Sequence, residues 1–176
     1  MEIYRSILKD LAAWKDSRFR KPLVLQGARQ VGKSWVLNKF GKDCFDNCVY
    51  VNFDTMPEIK QDFARTKDPK RLINVLSMVS GMKIEPGRTL VILDEIQECN
   101  DALNSLKYFC EQAPEYAIVC AGSLLGVALN RQGASFPVGK VDFMHMYPVS
   151  FSEYLAATNP DLAEILQGIT DIEPLP

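Results

Sequence analysis

The chain has 176 residues, 47% of them hydrophobic and 24% charged, with a formal net charge of −2. That is enough apolar material for one domain with a full core and too little length for two comfortable ones. The charge balance argues against a broad nucleic-acid grip, and no apolar run approaches the roughly 20 residues that cross a bilayer. Met1-Glu2-Ile3-Tyr4-Arg5 lacks the basic-then-apolar order of a signal peptide, so the expected location is cytoplasmic. The five cysteines, at 44, 48, 99, 110 and 120, are an odd number and are expected as reduced thiols. Cys110 and Cys120 lie in apolar stretches that suit small buried hydrophobes. Cys44 and Cys48 have the spacing of half a metal site, but His145 is the single histidine and the ligand count speaks against zinc.

Residues 3–16 place Ile3, Tyr4, Leu8, Leu11, Ala12 and Trp14 at roughly helical intervals, predicting an amphipathic helix. Residues 16–21 follow as a basic connection, read as a solvated loop rather than a nucleotide contact. Pro22–Gln26 is a short apolar run suited to a buried strand, and residues 35–40 read as a helix that Gly41 would stop. Between them lies Gly27-Ala28-Arg29-Gln30-Val31-Gly32-Lys33-Ser34, which fits G-x-x-x-x-G-K-[ST] at every fixed position. In that context the backbone N–H groups of about Ala28 to Ser34 form an anion cradle, aided by the positive end of the helix dipole, and Gly27 to Trp35 are the expected nucleotide-binding residues. Lys33 reaches the β- and γ-phosphates, and the Ser34 hydroxyl is placed to ligate Mg²⁺.

Residues 47–54 alternate and carry β-branched and aromatic side chains, predicting a second strand. A helix is predicted over 57–66, and another from the Asp68-Pro69 cap to about Val79, ended by Ser80-Gly81. After a turn at 85–88, Thr89–Glu95 is a continuous apolar run ending in two carboxylates, as expected of a strand buried on both faces of a parallel sheet. Side chains at the carboxyl end of such a strand reach the ligand crevice. Asp94 then suits the Mg²⁺ shell of a Walker B element, and Glu95 suits orienting or deprotonating the attacking water.

A helix is predicted over 101–112 and a third apolar strand over 115–123. Ser123 would stand beside the phosphates as a sensor, or cap a helix from Leu124; the two roles are compatible. Residues 130–139 are turn-rich, 140–147 alternate as a last strand, and helices follow over 151–157 and from Asn159-Pro160. No internal repeat is visible. The architecture expected is α/β: a P-loop NTPase three-layer sandwich with a mostly parallel sheet of about five strands, of the additional-strand, catalytic-glutamate type. Residues 1–21 form an N-terminal helix and connection, and 22–176 the ATPase core. The Asn-Lys-x-Asp element of guanine recognition is missing, which favours adenine.

Gly27–Ser34, Leu93-Asp94-Glu95-Ile96-Gln97, Ala121-Gly122-Ser123 and Tyr147-Pro148-Val149-Ser150-Phe151-Ser152-Glu153-Tyr154 together resemble an AAA-like, STAND-related family of prokaryotic ATPases, over nearly the whole chain and in the family's order. The resemblance implies an ATP-binding module with the roles assigned above. It also implies a C-terminal domain, or a protein partner in its place, beyond Pro176; nucleic acid is expected only through that region, and no membrane contact. Where the family has Gly-Arg before the last strand, this chain has Gly139-Lys140, and Lys lacks the planar fork that an arginine offers phosphate. The expected function is a Mg-dependent ATPase acting as a nucleotide-driven switch, slow in isolation. The alternatives are an ATP-binding scaffold without turnover and a small-molecule kinase, for which Arg131 is the only lid candidate.

Overall fold

In the computed structural model, which describes residues 3–122 and 139–168, five strands form one sheet: β1 (Leu23–Gln26), β2 (Asn47–Asn52), β3 (Thr89–Asp94), β4 (Ala117–Gly122) and β5 (Asp142–His145). Their spatial order is β2-β3-β4-β1-β5 and every pairing is parallel. Helices α1 (Ile7–Asp16) and α2 (Lys33–Cys44) cover one face; α3 (Lys60–Arg65), α4 (Pro69–Ser80) and α5 (Asn100–Gln112) cover the other. Successive strand residues point to opposite faces, so the two cores share the strands by parity. Leu23, Leu25, Leu90 and Ile92 pack with Leu11, Trp14 and Phe40, whereas Val24, Val91 and Leu93 pack with Phe63, Leu72 and Phe109. All six residues of β3 and of β4 are buried, which is why those stretches read as unbroken apolar runs. Helices α6 (Phe151–Thr158) and α7 (Pro160–Gln167) pack against each other, burying Leu155 and Ala163.

The three-layer α/β sandwich matches the expected class, and the differences are local. The strand that comes between the phosphate loop and Asp94 in the chain, β2, lies at the sheet edge; β4 is the strand inserted between β1 and β3 in space. Helix α1 begins at Ile7 rather than residue 3, because Arg5 and Ser6 are committed to distant partners. Helix α2 runs through Gly41 to Cys44. Gly41 is there for packing: a Cβ would stand 2.7 Å from Cys48 Sγ, so only glycine lets α2 close on β2. Gly81, at φ 66°, ends α4 in the left-handed cap the sequence signals. Cys120 is buried as expected, whereas Cys110 is half-exposed on α5. Among the described residues, no helix is long and apolar enough to cross a membrane.

Candidate active site

Strand β1 ends at Gln26 and α2 begins at Lys33, leaving six residues to turn the chain at the carboxyl edge of the sheet. The turn needs unusual backbone: Gln30 and Gly32 have φ of 64° and 93°. Gly27 is required for a separate reason, since a Cβ there would meet the Met146 carbonyl oxygen at 2.3 Å. The first-turn N–H groups of α2 have no intrahelical acceptor, and the helix dipole adds partial positive charge where they point. A cleft of about 460 Å³ opens there, lined by Arg29, Gln30, Gly32, Lys33, Ser34, Trp35 and Glu95.

The Lys33 ammonium is folded back onto the loop, donating to the Gly27 and Ala28 carbonyls at 2.8 and 2.7 Å. Burial lowers its pKa, and the negative charges of Glu95 and Asp94 oppose that shift. Asp94, 2% exposed at the end of β3, accepts three hydrogen bonds: from Ser34 Oγ (2.5 Å) and the Tyr50 hydroxyl (2.6 Å) on Oδ2, and from the Glu95 N–H (2.9 Å) on Oδ1. Burial, then the bond to Asp94, raises the Tyr50 pKa, which keeps the phenol protonated and donating. Glu95 leaves the strand in a left-handed conformation, φ 51°, a placement that costs about 1–3 kcal/mol for a non-glycine residue. It turns the carboxylate into the cleft, where Gln97 Nε2 donates to it at 2.5 Å.

The structure thus brings together Gly27 to Trp35, Asp94 and Glu95 at one edge. Ser123 lies outside the described residues. Lys140 stands before β5, at the opposite end of the sheet from the cleft, and its ammonium pairs with Glu111 on α5 at 2.9 Å. The basic connection is also structural: Arg20 lies over the Trp14 ring and donates to the Lys15 and Glu115 carbonyls.

Four residues take part here without a role assigned from the sequence, although Gln97 and Glu153 stand in the segments that carry the family resemblance. Tyr50 and Gln97 reach Asp94 and Glu95 from the middle of a strand and a short 3₁₀ turn. Arg5 is buried ahead of α1, where its guanidinium donates to the Val31 carbonyl (2.9 Å), the Tyr147 carbonyl (2.6 Å) and Glu153 Oε2 (3.2 Å). Glu153 closes a capping box with Ser150 at the start of α6 and also accepts from the Ser6 N–H and hydroxyl. Burial opposes its ionisation, yet the Ser150 and Ser6 donors and the Arg5 charge bring its carboxyl down to about 2.

A hard cation such as Mg²⁺ takes few protein oxygens and keeps the rest for phosphate and water. A hydroxyl and a carboxylate already converging at 2.5 Å beside a phosphate cradle fit that requirement.

Comparison with known proteins agrees with this fold. A family model described as an AAA domain matches residues 19–155. Among solved structures, C. elegans PCH-2 superposes with a TM-score of 0.51 at 13% identity, over 97% of this chain and 50% of that one. The Aeropyrum pernix ORC1 protein in complex with DNA gives 0.53 at 16%, over 94% and 50%. A Thermotoga maritima RuvB variant gives 0.54 at 16%, over 94% and 52%. At such identities these likenesses show the fold. A 4-hydroxy-tetrahydrodipicolinate reductase of Carboxydothermus hydrogenoformans is 24% identical over 156 residues, 86% of this chain and 56% of that protein. The chain therefore spans about half the length of the proteins it matches. With the family match covering most of the chain, and with the P-loop sandwich described above, the chain belongs to the AAA-domain family.

Proposed function

We propose that this chain binds Mg-ATP and hydrolyses it to ADP and phosphate, serving as a nucleotide-dependent switch. The observation that carries the reading is the convergence of Lys33 and Ser34, at the start of α2, and Glu95 on one cleft, with Asp94 at the end of β3 bonded to Ser34. Ser34 and Asp94 are the residues that would hold Mg²⁺, which when bound neutralises charge on the phosphate oxygens. The loop amides and the α2 N-terminus bind the phosphates. Lys33 exchanges the Gly27 and Ala28 carbonyls for β- and γ-phosphate oxygens, two charged acceptors replacing two neutral ones. Glu95 orients a water and takes its proton as the water oxygen bonds to the γ-phosphorus; the bond to the bridging oxygen breaks and ADP leaves. Gln97 holds the Glu95 carboxylate in the cleft for that task.

Adenine is assigned to a neighbouring cleft of about 290 Å³ lined by Arg5, Asp10, His145, Met146 and Tyr147. Arg5 and Met146 join that cleft to the phosphate loop. The relative's reductase chemistry finds no support here, because a dinucleotide fingerprint G-x-G-x-x-G needs glycine where Arg29 stands.

Phosphate release from Mg-ATP with no added acceptor tests the reading, with Lys33→Ala as control. Release by the parent and its loss in the variant are expected. ATP binding without release would instead make the chain a scaffold, and release only with an acceptor would make it a kinase.

A further inference from the structure

We propose that Arg5 is a positioning residue of the phosphate loop, held in place by Glu153, and that this three-way contact couples the loop to the α6–α7 hairpin. The inference rests on the nucleotide-binding reading above, but its starting point is a feature that reading does not use. Arg5 sits 26 residues before its loop partner and 148 before its hairpin partner, and it is buried with all three guanidinium nitrogens engaged. Nη1 binds the Val31 carbonyl, Nη2 the Tyr147 carbonyl and Nε the Glu153 carboxylate. Three acceptors from three chain segments in the plane of one fork are a geometry that a lysine cannot reproduce.

The physical consequence lies in the Val31–Gly32 peptide. It is planar and trans, so its C=O and its N–H point in opposite directions. Anchoring the Val31 oxygen on Arg5 fixes the Gly32 N–H in the opposite direction, and Gly32 lines the phosphate cleft. The neighbours do not do this themselves, since Gln30 holds a left-handed conformation that is costly for a non-glycine residue and Gly32 has no side chain to anchor it. Phosphate oxygens at the N–H and Arg5 at the C=O therefore order the same peptide. The ordering is reciprocal: whatever shifts Glu153 with α6 loosens the Gly32 donor, and phosphate binding tightens α6. Met146, packed against Gly27 and Gly32, lines the same path.

Arg5 also borders the cleft assigned to the base, so the test uses a ligand without one. Affinities for Mg-ATP and for Mg-tripolyphosphate are measured on the parent, Arg5→Met, Glu153→Gln and the double variant, with thermal unfolding and hydrogen exchange on each nucleotide-free protein. The expected result is about tenfold weaker binding of both ligands by Arg5→Met, the size of a lost charged hydrogen bond. Exchange at residues 27–34 should rise, and adding Glu153→Gln to Arg5→Met should change affinity less than about twofold, since Glu153 acts through Arg5. In the parent, tripolyphosphate should slow exchange at residues 150–158. Unchanged tripolyphosphate affinity in a folded Arg5→Met overturns the proposal and leaves Arg5 a base contact or a structural tie. If Arg5→Met does not fold, Glu153→Gln carries the test: unchanged exchange at 27–34 overturns it. Failure of the parent to bind ATP would sink the functional reading, while the exchange comparison still decides the clamp.

Discussion

Ser34, in the first turn of α2, and Asp94, the last residue of β3, meet at 2.5 Å across 60 residues of sequence, and the Tyr50 hydroxyl donates to the same carboxylate oxygen at 2.6 Å. The two donors fix the direction of the carboxylate proposed to hold the cation. Tyr50→Phe removes one of them without changing the ring. The magnesium concentration for half-maximal ATP binding should rise by about tenfold or more, the effect of one hydrogen bond to a charged group. Nucleotide affinity in chelator should not move. A magnesium titration followed by calorimetry reads both.

Lys33→Ala removes the cation proposed to bind two phosphates and leaves the Gly27 and Ala28 carbonyls without their donor. ATP affinity should fall by roughly 100-fold, as expected for two charge-assisted bonds in a partly desolvated site. Calorimetry giving the parental dissociation constant would remove the P-loop assignment.

Glu95→Gln keeps shape and the hydrogen bond to Gln97 but loses the base. Binding should be preserved while the turnover rate drops about 10²- to 10⁴-fold, the usual contribution of a positioned base. Parental turnover in this variant would withdraw the role of Glu95.

The strand ends, the phosphate loop and the paired carboxylates were legible because each is local: an apolar run, a fixed spacing, a charge at the end of the run. What the sequence did not show is what depends on through-space pairing. Gly41 reads as a helix stop until Cys48 is seen against it; Arg5 reads as an ordinary helix charge until Val31, Tyr147 and Glu153 gather round it. Tyr50 occupies an alternating strand position with nothing to distinguish it from a surface tyrosine. Whether Lys140 stands in for the family's arginine likewise depends on which end of β5 it occupies, and it occupies the end away from the cleft.

Glu153 gives the fold an acid-sensitive joint. Its carboxyl titrates at about 2 in the folded chain, below the ordinary value of roughly 4.3. Stability from this group is complete above the ordinary value and is lost as pH falls through about 2. Denaturant unfolding followed by circular dichroism should show the parent losing stability from about pH 5 down toward 2, with Glu153→Gln less stable at neutral pH and flatter across that window. Parallel profiles would show that the Ser6, Ser150 and Arg5 contacts do not hold the ionised form.

Single-turnover hydrolysis, with protein in excess over Mg-ATP, tests the central claim most directly. Lys140 is committed to Glu111 and brings no charge to the phosphates, so the chemistry rests on Lys33, Ser34, Asp94 and Glu95. The account predicts conversion of bound ATP to ADP at below about 1 s⁻¹, under the ordinary enzyme range, unchanged by Lys140→Arg and slowed about 10²- to 10⁴-fold by Glu95→Gln. ATP that stays intact on the parent protein, or is cleaved at the same rate by Glu95→Gln, would contradict it.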